Sequence, residues 1–433
     1  MRMKQIFRSG ALSPVTSLVL LSATFCPAQQ SLTWEQVKAR FEAANAALKA
    51  DALNVDEMHA AETTAYLRPN PQVGLASDGL QIAPHTTPGL GSHWLPLAGT
   101  QLVPSINYLH EREAKRELRL QSAKEGTEIA GSLHEDLKRN LLFDLRSLFV
   151  QTLQAKAVLE LAKADLAYYD KIIEISRSRF KAGDIAQIDL DRIELLRVQY
   201  EVEIQTATVD LRTAKIQLEQ LLNDRTPIEQ FDVTGPFDFS EELRPLEEFR
   251  QVALDLRPDL RAAIESAQQA ETNHKLAIAN GSADPTLSTW YSYNPAFNNA
   301  FGRYTVGASV SVPLRIFDRN QGEKQRTLID IDRNRKLTEA ARSQVFSDVD
   351  SAYAQVESSI ALLKPYKAKY KDQAQRVRDT VTYSYEHGSA SLMDFLNAQS
   401  DYRTVQLAYL QLLGSYLTAA GQLNLAAGRE VIQ

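Results

Sequence analysis

Helical periodicity, with apolar residues three or four positions apart, covers most of this chain. It is clearest after Gly183, where the apolar positions follow one another without a gap: Ile193, Leu196, Tyr200, Ile204, Ala207, Leu211, Ala214, Leu218 and Leu221. That spacing is typical of a coiled-coil seam. Because no proline occurs between Pro104 and Pro227, no proline kinks a helix in this stretch. The pattern therefore predicts long helices that pack along their length.

Two short stretches interrupt the helical pattern in the same way. The first is Phe180-Lys-Ala-Gly183-Asp-Ile-Ala-Gln-Ile-Asp189, and the second is Tyr385-Glu-His-Gly388-Ser-Ala-Ser-Leu-Met-Asp394. In both, an aromatic residue lies three positions before the glycine and an aspartate lies six positions after it. Since glycine adopts positive φ and commonly ends helices, each stretch predicts the tip of a helical hairpin.

The two halves of the chain repeat the same order of elements. Asn70-Pro71 and Val103-Pro104 match Asp284-Pro285 and Val312-Pro313. We therefore predict two structural repeats, 29–226 and 246–433, joined by a linker at 227–245. Each repeat consists of helix, strand, loop, strand, long helix, tip and helix. The strand pairs are predicted at about 72–108 and 285–314, and the tips near 183 and 388. A unit of this length indicates a duplicated half-protein rather than a solenoid.

Breaks in the helical pattern set the predicted boundaries of the individual helices and strands. Helices are predicted over 32–65, along the tract that ends at Arg179, over 320–385 with a kink at Pro365, and from the second tip to Ala427. Strands are predicted over 72–80, 99–108, 286–293 and 304–314, with loops at 81–97 and 294–302.

The first 28 residues have the pattern of a secretory signal peptide. Arg2, Lys4 and Arg8 precede an apolar segment that is too short to span a membrane, and Ala28 offers a cleavage site. Cys26 is the single cysteine, and the bulky residue before it departs from a lipoprotein signal, so both removal and lipid attachment of Cys26 stay open. No later stretch reaches about 18 apolar residues, so we expect the exported chain to enter a membrane only as strands.

The composition narrows the possible partners. Of the 433 residues, 44% are hydrophobic and 24% are charged, which is ordinary for a folded protein. The net charge of -6 and the pI of about 5.8 argue against a nucleic-acid partner, which requires a basic surface.

The predicted strands alternate in polarity and carry aromatic residues. In Tyr304-Thr-Val306-Gly-Ala308-Ser-Val310-Ser-Val312, apolar and polar residues alternate, and the strands approach the length of about 9–11 residues that one bilayer crossing needs. One interpretation is a sheet in a bacterial outer membrane, and the other is two soluble hairpins that cap a helical bundle. In lipid the sheet must close, and barrels start at about 8 strands. Copies of this chain would then share one barrel, with eight strands from a dimer or twelve from a trimer.

The element order, the duplication and the two glycine tips resemble the TolC-type outer-membrane efflux protein family from about Leu32 to the end. The stretch Val312-Pro-Leu-Arg-Ile-Phe-Asp318-Arg-Asn320-Gln-Gly322 is similar to the branch that serves cobalt–zinc–cadmium exporters. The resemblance implies a mainly α fold with a small β part: duplicated coiled-coil hairpins plus four membrane strands per chain. It also implies a homotrimer with a twelve-strand barrel in outer-membrane lipid and a helical tunnel in the periplasm. The tunnel would dock on a periplasmic adaptor and an inner-membrane RND-type pump.

The resemblance also assigns roles to residues at the tips. Asp394 would line the closed periplasmic mouth, where three copies make an acidic ring whose carboxylates have a raised pKa or a basic partner. The family often has a second aspartate three positions later, where this chain has Asn397. The alternative is that Asp394 caps the last helix. Asp189, Asp191 and His387 would lie at the tips, as would two residues of mainly structural role, Gly183 and Gly388.

For Asp189 and Asp191 the competing interpretation is helix capping and salt bridges within the hairpin, and for His387 it is a solvated surface residue. The functional interpretation is contact with a neighbouring hairpin or with the adaptor.

The sequence shows no motif typical of catalysis or of metal binding. The seven histidines form no metal-binding pair, and no phosphate-binding loop or nucleophile motif occurs. We therefore expect no enzyme, no cofactor and no metal site, but a passive, gated exit duct for metal ions or small toxic compounds. Secreted peptides or proteins are an alternative cargo. The competing class is a soluble periplasmic coiled-coil scaffold or adaptor without a barrel.

Overall fold

A computed structural model describes residues 31–80, 82, 85–87, 91–93, 100–295, 297 and 300–432 of the chain. The predicted signal peptide at 1–28, with Cys26, lies outside the described residues.

The described chain is mainly helical with a small sheet part, as the sequence predicts. The helices are α1 (Trp34–Ala44), α2 (Ala46–Tyr66), α3 (Lys115–Ala182), α4 (Gln187–Leu222), α5 (Leu246–Leu256), α6 (Pro258–Asn280), α7 (Ala300–Arg303), α8 (Gln321–Pro365), α9 (Lys371–Glu386) and α10 (Leu392–Ala427). The strands are β1 (Ser31–Leu32), β2 (Gln72–Asp78), β3 (His85–Thr87), β4 (Gly91–His93), β5 (Gln101–Leu109), β6 (Asp232–Val233), β7 (Thr286–Tyr293) and β8 (Tyr304–Ser311). A π-helical turn, Tyr366–Tyr370, joins α8 to α9 directly after Pro365, where a kink is predicted.

The prediction of one helix over 32–65 is wrong, because Asn45 breaks it into α1 and α2. The backbone of Asn45 is extended, its side chain accepts a hydrogen bond from the Leu48 amide, and it donates another to the Leu221 carbonyl at 2.9 Å. In the second half Arg257 takes this place between α5 and α6. Its buried guanidinium forms ion pairs with Asp259 at 2.6 Å and Asp348 at 2.8 Å. Both breaks are stabilised by contacts with distant helices, which local periodicity does not show.

The predicted loops and strand ends also need correction. The loop at 81–97 contains the short β3–β4 hairpin, and the loop at 294–302 contains the start of α7. β8 ends at Ser311 rather than near 314, and the proline at 313 has no amide to continue the ladder. The helix before the first tip starts at Lys115, because β5 extends to Leu109.

The long helices pack side by side. α3 contacts α2, α4, α6 and α10, and α8 contacts α6 and α10. The predicted seam of α4 is confirmed as its packed face, since Ile193, Ala207, Ala214 and Leu218 are buried. Within the described residues, no helix has the length and apolar character needed to cross a membrane.

The main sheet is antiparallel in the order β2-β5-β7-β8, so β2 and β8 form its two edges. Its two faces differ in chemistry, because side chains alternate along each strand. One face carries exposed apolar residues: Val73, Leu75, Leu102, Ile106, Leu287, Tyr291, Val306 and Val310. The opposite face is mostly polar: Gln72, Gln101, Ser105, Asn107, Ser288, Ser292, Thr305 and Ser309. On the polar face, Trp290 lies across Gly307, where an added Cβ would come within 2.3 Å of the indole.

Candidate functional site

The two predicted hairpin tips are present, and glycine makes both turns. Gly183 directly follows α3 as its C-cap with φ of 86°, and Gly388 follows α9 with φ of 73°. The next helices begin after Ala186 and Ser391. A residue with a Cβ would be strained at either glycine, so both turns use a backbone conformation that favours glycine.

The first hairpin (α3–α4) and the second hairpin (α9–α10) contact each other near their tips. Arg179 on α3 donates a hydrogen bond from Nη1 to the carbonyl oxygen of Tyr385 at 2.6 Å. Its guanidinium lies 5.0 Å from the centre of the Tyr385 ring. Further up, the hydroxyl of Tyr168 donates to Thr382 Oγ1 at 2.9 Å. A shared apolar core lies between the hairpins: Tyr169, Ile172, Ile173, Ile193, Tyr385 and Phe395.

Charged residues lie around the contact between the two hairpins. Along their helices they are one to two turns away from the residues of the shared core. Arg378 of α9 stacks between Tyr168, at 4.6 Å, and Tyr402, at 3.9 Å. Arg403 of α10 pairs with Glu203 of α4 at 2.7 Å. Burial raises the pKa of Asp165 on α3 to about 6, although the positive charges of Arg403 and Arg378 oppose the shift. The contact between the hairpins therefore includes a carboxyl group that titrates near neutral pH.

Asp394 is exposed in the first turn of α10 and completes a capping box with Ser391. The Asp394 amide donates to Ser391 Oγ at 3.2 Å, and the Ser391 hydroxyl donates to the Asp394 carboxylate at 2.7 Å. Ser391 is the N-cap, and the Asp394 carboxylate takes part in the capping by accepting a hydrogen bond from the Ser391 amide at 3.2 Å. The hydrogen bonds from the Ser391 side chain and backbone lower the pKa of Asp394.

The expectation of a raised pKa or a basic partner for Asp394 is therefore not met in the single chain, as far as the described residues go. An acidic ring is a property of three copies and stays a prediction. Asn397 is exposed about one turn further along α10.

The other tip residues lie where the sequence places them, with different contacts. Ala186, not Asp189, is the N-cap of α4, so the capping interpretation of Asp189 is wrong. Asp191 is exposed and accepts a hydrogen bond from Gln187 at 2.6 Å. His387 is exposed, with Nδ1 2.8 Å from the Tyr383 carbonyl oxygen and its ring against the Tyr383 ring.

Salt bridges within the first hairpin join Arg177 to Glu194 at 2.8 Å and Arg197 to Asp170 at 2.6 Å. Neither of them involves Asp189 or Asp191.

Sequence analysis missed the residues that join the hairpins. The partners Arg179 and Tyr385 are 206 positions apart, and Tyr168 and Thr382 are 214 apart. No local spacing relates residues at such separations. The single available signal was Tyr385 itself, the aromatic residue three positions before the tip glycine.

α4 also presents an apolar row on its outer side. Every seventh residue is apolar and at least half exposed: Ile188, Leu195, Val202, Val209 and Ile216. Near the tip this row borders a groove of about 480 Å³ that also includes Met393 and Leu396 of α10. A strict seven-residue apolar repeat is typical of a second coiled-coil seam, here without a partner helix among the residues that the structure describes.

Among the described residues, no group of three or more histidine, cysteine, aspartate or glutamate side chains could hold a metal ion.

Comparison with known proteins gives consistent matches to one family profile, one protein sequence and two solved structures. The sequence profile of the family "Outer membrane efflux protein" matches residues 249–429. The chain is 23% identical over 402 residues to the cobalt-zinc-cadmium resistance protein CzcC of Cupriavidus metallidurans, covering 92% of this chain and 90% of that protein. Its fold is similar to that of CusC, with a TM-score of 0.76 and 16% identity over 92% of each chain. It is also similar to the outer membrane channel CmeC of Campylobacter jejuni, with a TM-score of 0.72 and 14% identity over 92% of this chain and 87% of CmeC.

Proposed function

Because this chain belongs to the outer-membrane efflux protein family, we propose that three copies of it form the outer-membrane exit channel of a tripartite export system. The observation that carries this proposal is the sheet β2-β5-β7-β8, whose apolar face is exposed and whose two edge strands lack a neighbour within the described chain. Four strands cannot enclose a pore, since barrels start at about 8 strands. Three copies would supply twelve strands and leave no edge.

The two faces of the sheet fit the two environments of such a barrel. The exposed valine, leucine and isoleucine side chains would face lipid, and the glutamine, serine and asparagine side chains would line the lumen. Tyr293 and Tyr304 pair at one end of the sheet and Tyr108 lies near the other, as expected of interfacial aromatic residues. A soluble scaffold would have no reason to expose this face, which disfavours that alternative.

The helices would continue the barrel as a periplasmic tunnel. In this arrangement the apolar row of α4 packs against a helix of the adjacent copy, because an exposed seam with a seven-residue repeat needs a partner helix. The tips with Gly183, Asp191, His387 and Gly388 would then form the far end of the tunnel, where a periplasmic adaptor and an inner-membrane RND-type pump dock.

We propose that the cargo is metal ions or small toxic compounds. The support is the similarity to CzcC, a protein named for cobalt, zinc and cadmium resistance. The family is one of transport proteins, which fits a chain that conducts its cargo without transforming it. The pump would then supply the energy and most of the selectivity.

Gating would be a two-state rearrangement of the hairpins. The closed state is stabilised by the contacts of Arg179 with Tyr385 and of Tyr168 with Thr382. A partner that binds the separated hairpins more tightly would shift the equilibrium towards the open state. Asp394 and Asn397 from three copies would line the mouth and favour cations there.

Conductance in planar bilayers tests the proposal. The wild type should give small, cation-selective steps, Asp394→Ala should reduce the cation selectivity, and Tyr168→Phe should increase the open fraction. If neither substitution changes the conductance steps, the protein still forms a channel, but its gate lies at other residues. If the protein stays dispersed without detergent and forms no channels, the channel proposal is wrong and the scaffold alternative stands.

The cargo is tested in cells that lack their own outer-membrane component. Restored growth in cobalt, zinc or cadmium would support metal export, whereas restored growth only in organic toxicants would contradict it.

A further inference from the structure

A groove of about 810 Å³ lies away from the hairpin tips, between the middle of α3 and the last turns of α10. The start of α1 forms one wall, and the junction of α5 and α6 forms the other. Its floor is apolar and includes Leu142, Phe143 and Leu417. Ligand pockets commonly have volumes of about 300–1,000 Å³, and they often lie where two structural units meet.

Arg146 is the unusual residue in this groove. Its guanidinium lies 4.6 Å from the centre of the Trp34 ring and 5.9 Å from that of Phe149. It makes no hydrogen bond or ion pair with any residue that the structure describes. Burial lowers its pKa, and the negative charges of Glu430 and Glu35 offset the shift only in part. Guanidinium has five N–H donors, and this half-buried side chain leaves them free to bind a ligand in the groove.

The other cations around the groove differ from Arg146. Lys38 pairs with Glu430 at 3.3 Å, and Lys138 pairs with Glu42 at 3.2 Å. Arg139 donates to the Leu425 carbonyl at 2.7 Å and pairs with Asp136, and Arg261 pairs with Glu265 at 3.5 Å. Arg429 is exposed at the rim, where water can satisfy it. Arg146 is therefore the cation in this groove whose partner is missing from the described chain.

We propose that this groove binds a monocarboxylate with an apolar body. The carboxylate would accept two parallel hydrogen bonds from Arg146, a geometry that suits guanidinium, and the apolar body would lie on Leu142, Phe143 and Leu417. The rim carries Glu35, Glu135 and Glu430. The other cations of the groove are paired with carboxylates or exposed at the rim, so Arg146 offers one uncompensated positive charge, and a single negative charge fits it best.

The test uses the full chain in lipid nanodiscs with two probes, 4-phenylbutyrate and octanoate. Calorimetry measures their binding, and Trp34 fluorescence reports a change at Arg146. We expect saturable binding of both acids and at least tenfold weaker binding of 4-phenylbutylamine, which has the same body with a positive charge. Trp34→Phe should remove the fluorescence response and keep the calorimetric one.

Substitutions locate the site. Arg146→Gln should weaken binding of both acids at least tenfold, and Arg146→Lys should give intermediate binding because lysine keeps the charge but not the fork. Arg261→Gln, at a paired rim cation, should bind like the wild type. Equal binding of acid and amine, or binding that Arg146→Gln leaves unchanged, would overturn the proposal.

Thermal stability separates this site from a purely structural arginine. A half-buried cation kept for a ligand has no ion-pair partner in the free protein, so Arg146→Gln should leave the apparent Tm unchanged or raise it. If Arg146 merely holds Trp34 by stacking, Arg146→Gln should lower Tm and neither acid should bind, which would refute the proposal.

Discussion

An ion pair joins Lys115, at the start of α3, to Asp284, just before β7. Lys115 donates to Asp284 at 2.6 Å and to the Ser282 carbonyl at 2.8 Å, and the lysine side chain is only 4% exposed. The Arg112 amide donates to the second carboxylate oxygen at 3.0 Å. This single pair therefore fixes the sheet relative to the ends of α3 and α6.

Replacing Asp284 should be costly because it leaves a buried ammonium without a counter-charge. We expect Asp284→Asn to reduce stability by about 3 kcal/mol, as is usual when one partner of a buried pair is removed. The measurement is the apparent Tm in detergent. Glu323→Gln breaks the exposed pair with Arg326 and should leave Tm unchanged. Equal effects of the two substitutions on Tm would contradict the structural role of the buried pair between Lys115 and Asp284.

The same residue predicts a pH dependence. Burial raises the pKa of Asp284, but the hydrogen bonds from Lys115 and the Arg112 amide outweigh burial and lower it overall. A carboxyl whose pKa is lowered by folding stabilises the protein above its unfolded value of about 3.9, and this stabilisation is lost as the pH falls below that value. Asp284→Asn should therefore reduce the loss of Tm between pH 5 and pH 3.

At the scale of elements, we expect Asp165 to make the packing of the two hairpins depend on pH. The groups that face it are Arg378 on α9, Arg403 on α10 and Glu203 on α4. Folding raises its pKa to about 6. The protonated form is therefore favoured in the packed state, and this stabilisation is lost as the pH rises through 6. The closed arrangement of the hairpins should be more stable at pH 5 than at pH 7.

Asp165→Asn tests this effect, because asparagine cannot ionise. The open fraction in planar bilayers should rise between pH 5 and pH 7 in the wild type and stay at its pH 5 level in the variant. A matched control is Asp170→Asn, which removes a carboxylate on α3 that pairs with Arg197 within the first hairpin. A pH response that persists in Asp165→Asn would assign the effect to another group.

The apolar row of α4 gives a prediction about assembly. Val202→Glu places a charge in the row that we assign to the contact between copies, so it should shift the purified protein from trimers towards smaller species. Gln205→Glu adds the same charge at an exposed position of α4 outside the row and should leave the trimer intact. Light scattering after size-exclusion chromatography measures both. Trimers that tolerate Val202→Glu would exclude this face from the interface.

Prediction from sequence succeeded where the structure follows local rules. The seam through Ile193 and Leu218 follows from helical spacing, and the turns at Gly183 and Gly388 follow from the conformational freedom of glycine. It failed where distant side chains decide the structure. Asn45 breaks a helix through a bond to Leu221, and no local pattern contains that partner. The contacts between the hairpins were missed for the same reason.

At the scale of the whole molecule, the two faces of the sheet show whether lipid or water surrounds it. Ala308 and Ser309 are neighbours in the middle of β8 and lie on opposite faces of the sheet. In the proposed barrel, Ala308 faces lipid and Ser309 faces the lumen. An arginine near the middle of the lipid face costs about 2–4 kcal/mol, whereas the lumen tolerates charge.

Ala308→Arg should therefore reduce the amount of folded protein in outer membranes, while Ser309→Arg should assemble normally and change the conductance. Heat-modifiable migration on gels and bilayer recordings measure the two effects. Because the two arginines differ only in the face they occupy, a soluble sheet would accept both equally. Equal assembly of the two variants would thus contradict the barrel, and a selective loss of Ala308→Arg would support lipid on the apolar face.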